Sequence, residues 1–251
     1  LEHGFLLELP GSQSEEALRR MSMYVLRARV SLQEVSDGSV RLGLAGDSAT
    51  KVVAGLYGSA PRLPDEVTGF GDARLIRLHG AVPRYQFIGD AQGGQALWRA
   101  AAQTLTPAGL RAWSLLEIFA GVPELAGSDQ FLPQMVNLDA LEGLSFNKGC
   151  YVGQEIIARS HYLGRLKRRM YLVRAGGGDP PPPGTPIVDT AAGSPAGQIV
   201  SSGACGEAGG FAALAVLLID AAKTGQLRID SPGGPRLELL QLPYPVADDS
   251  R

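Results

Sequence analysis

Phe146-Asn147-Lys148-Gly149-Cys150-Tyr151-Val152-Gly153-Gln154-Glu155 is the least ordinary stretch of this 251-residue chain, and it separates two unlike halves. A cysteine stands there among glycines, a lysine and an aromatic ring, and the sequence after it predicts a helix over about residues 152–161. Unpaired amides at the start of a helix carry partial positive charge, which favours a thiolate over a thiol. Lys148 adds to that field, and Gly149 and Gly153 allow a sharp turn and close approach of a ligand or partner. Gln154 and Glu155 add polar groups on the first helical turn, where Glu155 opposes the thiolate if its carboxylate faces the sulfur. The pattern describes a reactive or metal-handling thiol more than a small buried apolar residue. Cys150 and Lys148 are the candidate catalytic residues.

Upstream of this stretch, strands and helices alternate irregularly. Residues 5–9 read as a strand closed by Pro10-Gly11, and Ser12 or Ser14 caps a helix to about residue 28. Strands at 30–35 and 40–44 flank the turn signal Asp37-Gly38. A helix over 47–56, strands at 75–78 and 85–88, and helices at about 91–105 and 107–120 follow, with Pro107 in the first turn of the last. This order predicts an α+β fold, not a doubly wound one. Residues 121–147 are turn-rich, and a loop of that length is usually functional or packed by its own side chains.

Downstream, six short strands are predicted near 169–174, 185–188, 197–201, 211–219, 226–229 and 236–240, separated by Gly- and Pro-rich turns. Gly176-Gly177-Gly178-Asp179 and the prolines at 180–183 make a hinge-like break. The pattern suggests a small β-barrel. The expected division is an α+β region over 1–163, ending in the cysteine motif, and a C-terminal barrel over 164–251.

Composition narrows the function classes. Lys and Arg number 23 against 25 Asp and Glu, so a net charge of -2 gives no global drive toward nucleic acid or an anionic membrane. Two cysteines are too few for a disulfide scaffold and fit a reducing compartment. They are also too few to enclose a four-cysteine zinc or iron–sulfur site, and the three histidines lack metal-ligand spacing, so no permanently bound metal is expected. No stretch reaches the ~20 apolar residues of a membrane helix. No signal peptide opens the chain, and a start in mid-pattern without Met suggests that a preceding segment is missing. Arg159, Arg165, Lys167, Arg168 and Arg169 form a basic cluster, either a solvated face or a site for a carboxylate tail or phosphate. Trp113 is a core residue or an aromatic platform, and Cys205 reads as incidental in a turn. His161 reads as a polar helix-end residue; an independent thiol enzyme would use Cys150 with His161 or Lys148.

The stretch from Gln130 to Glu155 closely resembles the YgfZ family, whose mark is Lys-Gly-Cys, an aromatic residue, any residue, then Gly-Gln-Glu. Lys148, Gly149, Cys150, Tyr151, Gly153, Gln154 and Glu155 match every fixed position. Pro133, Asn137-Leu138, Ser145-Phe146, Ala158-Arg159 and Gly164-Arg165-Leu166-Lys167-Arg168-Arg169 also fit. The resemblance implies the fold of the glycine-cleavage T-protein: a cloverleaf of α+β subdomains, a small C-terminal β-barrel, and a central hole able to hold tetrahydrofolate. It implies support of iron–sulfur enzymes, especially four-iron ones, with the motif cysteine essential. The implied partners are client enzymes, assembly proteins and folate. A link to tRNA modification follows indirectly, without direct nucleic acid or membrane binding, in the cytoplasm. Trp113, Arg165 and Arg169 are the expected cofactor-binding residues. One departure stands out. The position of the T-protein's pterin-gripping glutamate is Phe119 here, and Glu117 lies roughly 200° away around a helix. This weakens tight folate binding and the alternative function, tetrahydrofolate-dependent aminomethyl transfer.

Overall fold

The computed structural model describes residues 4–124, 131–151, 153–162, 166–206 and 209–246. Two antiparallel sheets organise them. The first has the order β1 (Val40–Ala45), β4 (Arg84–Gly89), β3 (Ala73–Leu78), β2 (Val67–Phe70). Helices α2 (Asp47–Tyr57) and α3 (Ala91–Ala101) cover one face, where Leu44, Ala49, Val53, Leu75, Tyr85, Phe87 and Leu97 are buried together. The Asp90 carboxylate caps α3, its Oδ1 accepting from Gly93 N–H at 2.7 Å. Side chains alternate along strands, so Gly43 and Arg84 share the opposite face. Helix α4 (Leu110–Phe119) lays the Trp113 ring against Gly43, where a Cβ has no room.

The second sheet has the order β10 (Glu238–Leu240), β5 (Arg168–Ala175), β8 (Phe211–Leu218), β7 (Ser194–Ala204), β6 (Pro186–Asp189), β9 (Leu227–Ile229). It curls until its two ends approach: Arg228 bridges Arg236, and Leu237 N–H donates to Leu227 O at 2.9 Å. β8 shows why its sequence is continuously apolar. Phe211, Ala213, Ala215 and Leu217 enter the core inside the curl, while Ala212, Leu214 and Val216 pack outward against Ile118 of α4 and Val136 of the long loop. A strand buried on both faces loses the polar alternation of a half-exposed one.

Several expectations change. Residues 5–9 and 30–35 form no strand; Phe5 is 92% exposed and Val30 56%, and the first segment meets the sheet through Glu8, which accepts from Arg41 at 3.0 Å and from Gln86 at 2.6 Å, not through a backbone ladder. The turn at Asp37-Gly38 is a single 3₁₀ turn (Ser36–Gly38), and β1 pairs with β4 instead of residues 30–35. The first helix, α1 (Gly11–Ser22), is shorter than expected and has no buried residue. Pro107 precedes α4, which starts after Gly109 in extended conformation. β2 and the short helix α6 (Ile219–Thr224) are additional elements.

Candidate functional site

The cysteine stretch leaves the long loop and enters α5 (Gln154–Tyr162). Gly153 has φ 88°, a left-handed conformation that a side chain would strain, while the space around its Cβ position is open. Backbone conformation, not crowding, therefore calls for glycine here. The resulting turn closes on itself. Tyr151 N–H donates to the Gln154 side-chain oxygen, and Gln154 N–H donates to Tyr151 O, both at 3.2 Å. Cys150 stands on this turn as an exposed free thiol. The Lys148 ammonium sits 4.8 Å above the Tyr151 ring, which restricts its reach through a cation–π contact. Glu155 pairs with Arg159 along the helix surface at 3.5 Å. Phe146 meets Tyr162 edge-on at 5.9 Å, bringing the start of the stretch to the far end of α5.

Beneath α5 lies a buried polar tie that motif reading missed. Gln134 in the 3₁₀ turn Pro133–Val136 is 1% exposed, and its Nε2 donates to Ile157 O of α5 at 2.8 Å. The Arg169 Nη1 donates to Gln134 O at 2.8 Å and to Asp139 Oδ1 at 2.7 Å. Asn137 Nδ2 donates to Met170 O at 2.9 Å. Arg169, expected within a surface cluster, is 4% exposed, while its neighbour Arg168 faces outward. A clue lay in Gln134 and Asn137, two amides in an otherwise apolar run from Phe131 to Leu138.

A cavity of about 1220 Å³ opens between the sheets, walled by Arg84, Phe119, Arg169, Tyr171, Lys223 and Tyr244 among others. Arg84 is 1% exposed. Its Nη2 donates to Glu117 at 3.0 Å, its Nε donates to His79 O at 2.9 Å, and its guanidinium lies 5.2 Å from the Trp113 ring centre. Glu117 is therefore committed to Arg84, away from the position of Phe119. The Tyr244 hydroxyl donates to Gly121 O at 2.6 Å, and burial is the main cause pushing this phenol above its ordinary range.

The expected site residues do not converge. Cys150 and its motif neighbours line neither this cavity nor a smaller one of about 350 Å³. Trp113 borders the smaller cavity and Arg169 the larger, while Arg165 lies outside the described residues. Cys205 is partly buried against the core outside the curl.

No protein-family model matches the chain. The solved structure of glycine cleavage system aminomethyltransferase T from Bartonella henselae matches it with a TM-score of 0.64, covering 92% of this chain and 66% of that one at 16% identity. The mixed helix-and-sheet fold is thus that of the T-protein class. A tRNA-modifying protein YgfZ from Edwardsiella ictaluri is 32% identical over 251 residues, 96% of this chain and 74% of the relative. The chain belongs to the YgfZ family. Proteins of that name from Yersinia pestis (strain Pestoides F) and Colwellia psychrerythraea are each 33% identical, over 159 and 172 residues. The matched segments span about half the length of those two relatives, 48% and 52%. No helix among the described residues is long and apolar enough to cross a membrane.

Proposed function

We propose that this protein supports the assembly or repair of iron–sulfur enzymes, especially four-iron ones, through the Cys150 thiol. The observation that carries the reading is the placement of Cys150. Within a full match to the family motif, it is an exposed free thiol on a turn that leads into α5. A single surface thiol suits brief handling of iron or sulfur on behalf of a partner better than permanent housing of a cluster. The partners are client iron–sulfur enzymes and assembly proteins in the cytoplasm. The tRNA-modifying name of the relatives is then an indirect effect, through a client that thiolates tRNA. A cloverleaf of α+β subdomains over 1–163 and a closed barrel over 164–251 complete the proposed architecture. Replacing Cys150 with Ala should lower client-enzyme activity in cells that depend on this protein while its circular dichroism stays unchanged. Normal client activity would defeat the reading.

The large cavity is the proposed place for tetrahydrofolate. Its volume is ample for a ligand of that size. Phe119, Tyr171 and Tyr244 offer faces to a flat ring, Arg84 has a buried Nη1 without a hydrogen-bond partner, and Lys223 lies at the wall for an acidic tail. When bound, the folate would supply one-carbon chemistry. Phe119 cannot accept the pterin's hydrogen bonds, which favours loose binding and the accessory role. The T-protein likeness favours a second reading, aminomethyl transfer. Turnover with an aminomethyl-carrier protein and tetrahydrofolate would establish that second reading.

A further inference from the structure

The thiol and the large cavity are separate, yet one buried residue touches the framework of both. Gln134 donates through its side-chain amide to Ile157 O, the fourth residue of α5, and accepts through its backbone carbonyl from Arg169, a cavity-wall residue. We infer that Gln134 is a positioning residue for Cys150, fixing the helix that follows the thiol and tying it to the cavity wall. This rests on the reading of Cys150 as the working group. A carbonyl within a helix has a second lone pair, so the Gln134 amide adds a bond to Ile157 O without taking a helical one. The bond is out of water and joins segments 23 residues apart in sequence. It fixes α5 against the long loop at a level one helical turn from the Tyr151–Gln154 turn. Arg169 holds the other side of the same residue, and its second acceptor, Asp139, keeps the guanidinium in place. A ligand entering the cavity would press on Arg169 and, through Gln134, on α5. Lys148 serves no such purpose, because its contact lies on the surface with Tyr151.

Cys205 provides an internal reference, since it is the second free cysteine and packs against the core outside the curl. The experiment measures iodoacetamide alkylation of each cysteine by mass spectrometry in the full chain, for the parent, Gln134→Met and Gln134→Leu. Both variants remove the donor to Ile157 O and leave a side chain of similar volume without a polar group. Cys150 is already exposed, so loosening α5 gains no access and alters only the fixed turn on which the thiol stands. The expected result is a change of about fivefold in the Cys150-to-Cys205 rate ratio, roughly the weight of one buried hydrogen bond. Arg169→Lys, which keeps one cationic donor toward Gln134 O, should retain most of the parent ratio. With 5-formyltetrahydrofolate as the probe, the parent ratio should shift and the Gln134→Met ratio should not. An unchanged Cys150-to-Cys205 ratio in both Gln134 variants would overturn the inference. So would a parallel rise at both cysteines, which is general loosening. Neither result bears on whether Cys150→Ala lowers client activity, so the two readings fail separately.

Discussion

The cysteine turn and the large cavity are built by opposite means. The turn takes its residues from one short stretch, stands at the surface, and owes its shape to a left-handed glycine and two hydrogen bonds of 3.2 Å. The cavity draws on β4, α4, β5, α6 and the segment after β10, and its arginines are buried and held by distant partners. A reactive group that must meet another protein benefits from exposure. A space that must hold a small molecule needs walls fixed by a core. The difference sets an exposed thiol apart from a walled cavity, and the Gln134–Arg169 tie runs between their frameworks.

Substitutions that break the cavity side should cost most. Arg169→Met would strand Asp139, whose side chain is 20% exposed, and lower stability by about 3 kcal/mol in urea unfolding. Gly43→Ala should cost about 2 kcal/mol, because its methyl meets the Trp113 ring. It should also change the tryptophan emission, a check on the α4–sheet contact. Tyr244→Phe should cost about 1 kcal/mol at neutral pH through the lost bond to Gly121 O. The pH dependence sharpens that test. Burial raises the Tyr244 pKa in the fold, so the unfolded chain ionises first. The contribution is whole below about pH 10 and is lost as the pH climbs through the higher folded-state value. Stability of the parent should therefore drop more steeply than that of Tyr244→Phe in alkaline unfolding curves. On the turn side, Lys148→Met should change stability by only about 0.5 kcal/mol, the weight of an exposed cation–π contact.

Legibility in the sequence followed how local each feature is. The cysteine turn was readable because Lys148, Cys150, Gly153 and Gln154 are neighbours and each has a local task. β5, β7 and β8 were readable because their apolar runs lie between glycine and proline turns. Residues 30–35 misled because they have strand-like composition but no partner among the described residues. β2 escaped because Gly69 and exposed Val67 interrupt its pattern, and α6 because six residues carry too little periodicity. The buried tie was illegible for a different reason. Gln134 and Arg169 are 35 residues apart, and nothing local distinguishes buried Arg169 from exposed Arg168.

The central claim is that Cys150 stands free on the surface while Cys205 is sheltered. Brief iodoacetamide treatment of the folded parent, followed by peptide mass spectrometry, tests it directly. The account predicts that Cys150 is alkylated to completion before Cys205 reacts appreciably. Protection of Cys150, or earlier modification of Cys205, would contradict it.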